Sequence, residues 1–366
     1  LLSYVFTKES VMHFRILLIV SLIVSIMFSA VTFAQDESVT ATPGPSKTPS
    51  PSETPVAEVT AEVTSETKII SDVPQLSPLP RSYTQEDLSV LVGNVQRPNG
   101  IAYFDNYLYT ACNGDWTMYR IDAETGETIT FVFGIRNAHQ MLAQETEDGF
   151  DLWIPDFDTN QFMSIDHTAS SPRTVSRENL DGPWGIANLA DERFLISNLR
   201  ADNLVIADTE GNTTVAVEGL RAPAGLIIDG DYAYVANNSS ARRAIEWFSV
   251  EALQIDEDGA VSSVSDITQP LVSGLQNTSG LVLADDGYLY FSYALGTRGV
   301  VGRVNPEECR DDGCTNEDVE IVLFTELTAP LSGLTVTPDM RLFVHTIYRP
   351  EIYNANAAAG KSYQPN

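Results

Sequence analysis

The sequence predicts an all-β fold, a six-bladed β-propeller. Three observations carry this: a unit that recurs six times, short strand-like apolar runs inside each unit, and a spare N-terminal strand able to close the ring. The first unit begins Pro98-Asn99-Gly100-Ile101, and the others begin at Ala138-His139-Gln140, Pro183-Trp184-Gly185, Pro223-Ala224-Gly225, Thr278-Ser279-Gly280 and Leu331-Ser332-Gly333. Their third positions lie 40, 45, 40, 55 and 53 residues apart, the spacing of four-stranded propeller blades.

The elements follow in chain order. Met12 opens a pattern of one positive charge, an apolar run over 16–28 and small residues ending at Ala34, so residues 1–34 read as upstream residues and a signal peptide cleaved after Ala34. Counted on to Ala34, residues 16–34 make 19 with few polar interruptions, near the lower limit for an uncleaved membrane anchor, which is the competing reading. Residues 35–80 are rich in Pro, Thr, Ser and Glu and contain no aromatic side chain. Burial there is too small to offset chain entropy, so this stretch is expected to be a disordered linker. The globular part, 81–366, is therefore expected to be secreted or held at the cell surface.

Within the units, apolar runs at 108–111, 152–154, 194–196, 233–236, 289–291 and 342–344 are too short for helices, carry β-branched and aromatic residues, and are flanked by Gly, Asp and Asn. No useful helical period follows Pro80, so no helix is expected. A fourth strand precedes each new turn, as at 130–133, 214–217 and 320–324, but the sixth unit has only a short tail after Tyr353. Leu88–Val92 precedes the first turn in the same way, and it is expected to pair with the last blade.

The ring itself is acidic: residues 81–366 hold 42 Asp+Glu against 17 Lys+Arg, and the whole chain carries a net charge of -29. Without clustered cations to release counterions from phosphates, nucleic acid is not an expected partner. Cys309 and Cys314 frame a short polar loop and suit a local disulfide, which persists outside the cytosol; Cys112 is left as a small semi-buried hydrophobe or an odd thiol. No Gly-x-Ser-x-Gly elbow and no phosphate-cradling glycine loop is present.

The Pro-x-Gly-Ile/Leu turns, the Asp/Gly hairpins and strands such as Tyr107-Leu108-Tyr109-Thr110-Ala111-Cys112-Asn113 resemble the six-bladed propellers of the NHL type, together with the gluconolactonase/senescence-marker-protein and strictosidine-synthase-like enzymes, over residues 88–356. Such motifs specify fold rather than activity. In the lactonases the resemblance implies a divalent cation on the axis, held by acidic and Asn side chains, mostly from the position before the repeat glycine. Here that position reads Asn99, His139, Trp184, Ala224, Ser279 and Ser332, which matches at Asn99 and supplies no carboxylate.

A second set, the residues ending the second strands, reads Cys112, Asp156, Asn198, Asn237, Tyr293 and Thr346. From the two sets, Asn99, His139, Trp184, Asn198, Asn237 and Tyr293 are candidates for a ligand-binding axial face, with Trp184 and Tyr293 as its aromatic wall. Asn198 and Asn237 equally suit strand-to-loop corners. His139, Asp156 and His345 are the candidate ligands for a divalent cation, calcium or zinc, and the metal-binding axial histidines of NHL-type lyases are the analogy. The expected function is binding of a small molecule, glycan or envelope protein through one face of a monomeric ring, with membrane contact only through an uncleaved signal segment. The alternative is a metal-dependent lactonase-like hydrolase or lyase.

Overall fold

The computed structural model describes residues 82–190, 192–256 and 259–355. The signal-peptide and linker expectations fall on residues 1–80 and lie outside the described residues.

Six antiparallel four-stranded sheets stand in sequence order around a ring. Blade one comprises Pro98–Phe104, Tyr107–Cys112, Thr117–Asp122 and Thr128–Phe133, paired in that order from the axis outward. Blades two to five repeat it over 142–176, 183–218, 223–273 and 281–328. Blade six takes Gly333–Val336, Leu342–His345 and Ile352–Ala355, then receives Leu88–Val92 as its outer strand, with Leu88 opposite Ala355 and Val90 opposite Tyr353. The spare strand read from the sequence thus closes the ring.

The core lies between blades rather than within a single layer. Six apolar clusters each join two neighbours, and the one at the closure sets Val92, Phe343 and Ile352 against Ile101, Leu108 and Cys112. Because every sheet is covered on both faces, strands such as Tyr232–Asn237 are buried almost throughout instead of alternating.

The two long inter-repeat gaps serve as clamps. Val264–Ser265, from the insert in blade four, pairs in parallel with the outer strand of blade three. Cys314–Thr315, from the insert in blade five, pairs with the outer strand of blade four, and Tyr83–Thr84 does the same for blade five. The insert also holds a short helix, Pro306–Asp312, where no helix was expected. Its start was encoded: the Asn305 side chain accepts the backbone N–H of Glu307 (3.0 Å), Pro306 occupies the first turn and two glutamates follow. Cys309 and Cys314 form the disulfide across its end, and Cys112 is a buried free thiol.

The repeat glycines set how closely inner strands approach. A Cβ at Gly100 would stand 2.5 Å from the His139 carbonyl oxygen of the next blade, and at Gly185 and Gly225 the same collision falls on Ala224 and Ser279. Blade two breaks the pattern with Gln140. Its side-chain amide crosses Gly185 and pairs with the backbone of Leu226 in blade four, donating to the carbonyl (2.7 Å) and accepting from the N–H (3.0 Å).

Charge is sorted between the two ends of the ring. Hairpins joining first to second and third to fourth strands carry carboxylates in every blade, among them Asp105, Asp166, Asp208, Asp231, Asp285 and Asp339. Loops at the opposite end hold Arg97, Arg136, Arg200, Arg221, Arg242 and Arg349, interspersed with Asp115, Asp158, Asp181 and Asp202.

Candidate functional site

The arginine-bearing end also carries the residues that start each inner strand. His139 and Trp184, at adjacent blades, stack face to face with ring centroids 3.3 Å apart and planes within 5°. Phe157 meets both edge-on, at 5.3 Å from His139 and 5.7 Å from Trp184. The Arg200 guanidinium covers Phe157 at 4.0 Å and stands 3.8 Å from Asp181. Beside this aromatic group runs a polar chain: Asn99 donates to Asn137, Asn137 donates to Asp158 (3.0 Å), and Asn113 donates to the other Asp158 oxygen (3.5 Å).

Four polar atoms in inner-strand or adjoining positions are buried without a hydrogen-bond partner among the described residues: Asn99 Oδ1, His139 Nδ1, Thr278 Oγ1 and His345 Nε2. Native interiors rarely leave such groups unmatched, so each is a position that water or a ligand can complete. Burial drives the pKa of His345 down to about 3, and burial, then the charge of His345, does the same to His139. Both imidazoles are therefore neutral and offer one donor and one acceptor each. The Nδ1 of His345 engages the Ser332 hydroxyl at 3.2 Å.

The second set of candidates lies elsewhere. Successive residues of a strand face opposite sides; Asp156, Asn198 and Asn237, which end their second strands, turn to the blade corners, and Tyr293, inside the second strand Leu289–Leu295, turns into the seam between blades. Asp156 accepts backbone N–H groups of Arg136 (2.6 Å), Asn137 (3.4 Å), Asp158 and Thr159 (both 3.2 Å). Asn198 accepts from Asp181 N–H (3.2 Å), and Asn237 from Arg221 N–H (3.0 Å), the same loop position in their blades. Tyr293 packs in the cluster between blades four and five, where burial raises its pKa. These three side chains and Asp156 hold the scaffold. The residue one step earlier faces inward: Ser197 and Ser292 each accept from their own blade's glycine N–H (2.8 and 2.9 Å) and donate to a carbonyl of the next blade, and His345 occupies that position in blade six.

Hence His345 lies within electrostatic reach of His139, while the Asp156 carboxylate is taken up by loop N–H groups although its backbone bridges Ala138 beside His139. Among the described residues no three His, Cys, Asp or Glu side chains are placed to hold a metal ion. Phe157, Arg200, Asn137 and Thr278 were not singled out from the sequence, although the run Asp156-Phe157-Asp158 at a strand end was visible there.

Protonating either histidine opposes its burial, and the sign follows. The folded-state pKa of about 3 lies below the ordinary 6.5, so the stability from neutral His345 is complete above pH 6.5 and is lost as pH falls towards 3. A His345→Asn variant is expected to show a flatter acid limb in urea unfolding free energies measured across that window; an unchanged limb would mean that His345 is already charged when folded.

A gluconolactonase from Xanthomonas campestris superposes on this chain with a TM-score of 0.53, at 16% identity, covering 73% of this chain and 88% of that one. The likeness is one of fold. A streptogramin B lyase gives a TM-score of 0.49 at 13% identity, over 73% of this chain and 96% of that one. The virginiamycin B lyase of Staphylococcus aureus gives 0.45 at 15% identity, over 71% and 81%. No protein-family model matches the chain, and no curated protein matches it significantly by sequence.

Proposed function

We propose that this propeller is an extracytoplasmic binding protein that takes a small, uncharged, hydroxyl-bearing molecule at the axial end of its arginine-bearing face. The observation that carries this is the His139–Trp184 stack, whose His139 keeps its buried Nδ1 unpartnered, together with the unpartnered buried atoms Asn99 Oδ1 and His345 Nε2. Neutral imidazoles and an amide oxygen accept hydroxyl protons without demanding charge, and the flat stack suits a ring. The export pattern ending at Ala34 supports the location, as does the Cys309–Cys314 pair.

A lactonase-like or lyase-like metal reaction fits the residues less well. Calcium requires several oxygen ligands, commonly carboxylates, and the only carboxylate among the proposed ligands, Asp156, already accepts four backbone N–H groups. Zinc at a catalytic centre takes three protein ligands, and two imidazoles are at hand. No metal-dependent step is derived for these residues.

Titration with neutral monosaccharides and their lactones, followed by tryptophan fluorescence and calorimetry, tests the proposal. One class of compound should bind, with Asn99→Ala and Trp184→Ala each weakening it about tenfold or more. If no compound in the panel binds at millimolar concentration, or both variants bind as the native protein does, the axial site is not where this protein meets its ligand. Turnover of a lactone that disappears when metal is removed would instead establish the enzyme.

A further inference from the structure

A separate feature stands on the end of blade one. Trp116 is 51% exposed and has a φ of +58°, a left-handed backbone that bulky residues avoid. The residue before the third strand in blades two and three is Asn160 (φ 51°) and Asp202 (φ 56°), types that tolerate this conformation. Blade one alone of these three places an indole there and leaves it in solvent.

The surroundings hold that indole in a fixed setting. The Trp116 carbonyl accepts the Gly134 N–H (2.8 Å), and neighbouring Phe133, 64% exposed, lies opposite Thr117 in the sheet register. The Arg136 guanidinium sits 4.5 Å over the indole, and Asp156 fixes the Arg136 backbone. Arg97 joins the same hairpin through its carbonyl, which accepts the Asn113 N–H (3.1 Å).

Charge supplies the second observation. Acids outnumber bases by more than two to one in the ring, and Arg200 and Arg298 stand within 3.8 and 3.5 Å of carboxylates. Arg97 and Arg136 have no carboxylate partner among the described residues. The nearest acid in the hairpin, Asp115, is occupied by the Thr117 N–H (3.1 Å) and the Tyr119 hydroxyl (2.7 Å).

We infer that this patch binds the uronate residues of an acidic glycan. The apolar C–H face of a pyranose lies against the part of the Trp116 indole that the Arg136 guanidinium leaves exposed, on the side of Phe133. Its carboxylate, attached directly to that ring, takes the parallel N–H donors of Arg136, with Arg97 available to a second uronate along the chain. An acidic peptide matches the guanidinium but brings no saturated ring to cover the indole. None of these side chains belongs to the axial group, so this site stands or falls independently of the proposed axial ligand.

The probes are tetragalacturonic acid, its methyl ester and an oligoglutamate of similar charge, titrated calorimetrically into the full chain at low salt. Tetragalacturonic acid is expected to bind, with affinity falling about tenfold or more on methyl esterification, in Trp116→Asn and in Arg136→Gln. Trp116→Asn introduces the residue type already present at Asn160, so its melting temperature should be unchanged or higher, which separates lost binding from lost folding. Absence of binding by tetragalacturonic acid, equal binding by its methyl ester, or native-like binding by both variants would overturn the assignment. Equal binding of oligoglutamate would overturn the glycan in favour of any acidic chain.

Discussion

A chain shortened to begin at Gly93 is expected to lose the cooperative unfolding transition of the intact ring. The deletion removes Leu88–Val92, so Ile352–Ala355 becomes an open edge, and it also removes Tyr83 from the cluster between blades five and six. Val92 leaves the seam it fills with Phe343 and Ile352. Domains are held by about 5–15 kcal/mol in total, and breaking a closed ring exposes two apolar blade faces at once. Urea unfolding followed by tryptophan fluorescence and circular dichroism should show a broad or absent transition, and a peptide spanning 82–92 added in trans should restore part of it. The point substitution Val92→Asp places a carboxylate in that seam and should cost about 3 kcal/mol or more. Val90→Asp, on the exposed side of the same strand, should change stability by less than about 0.5 kcal/mol. Should the shortened chain unfold as sharply as the intact one, the closure is ornamental.

The second large effect is expected at Gly225. Its missing Cβ faces the Ser279 carbonyl and the Leu281 N–H (2.8 Å from the Cβ position), both backbone of the next blade, and its own N–H donates to Ser279 at 2.7 Å. Backbone cannot swing aside as a side chain can, so Gly225→Ala forces blades four and five apart at the axis. Overpacking of this kind costs about 1–3 kcal/mol, and Gly225→Val more. Gly93→Ala is the control, because the nearest atom to its Cβ position is Val90 Cγ1 at 3.8 Å. Melting temperatures of the three variants against the native protein would decide it, and an alanine at 225 as harmless as one at 93 would contradict the close approach.

Much of this architecture was legible because it repeats. Six turns at near-constant spacing, with an orphan strand before the first, left few alternatives to a ring. The site was legible only in part, and the reason is the two-residue period of a strand. Choosing Asp156 and Tyr293 rather than the residue one step earlier turned the reading from the axis to a blade corner and to a seam between blades. Asn99, His139 and Trp184 flank the repeat glycine, where the turn fixes the phase, and the structure places them at the arginine-bearing end. Gln140 registered only as a missing glycine; its pairing with Leu226 spans 86 residues and belongs to the ring's curvature, which no local pattern encodes. The Pro306–Asp312 helix was overlooked although Asn305-Pro306-Glu307-Glu308 is a strong start signal, because seven residues hold too little period to register.

The excess of carboxylates at one end of the ring, against a mixture of arginines and carboxylates at the other, makes the molecule an electric dipole along its own axis, in addition to its net negative charge. In a uniform solution the net charge slows the approach of anionic partners. Within a Debye length of a negatively charged wall, about 8–10 Å at physiological ionic strength, the field varies across the thickness of the disc and a torque appears. The ring then turns its arginine end towards the wall before contact, presenting the His139–Trp184 stack and Trp116 first. Capture at such a surface becomes a question of orientation as much as of attraction, and added salt acts on its rate through both.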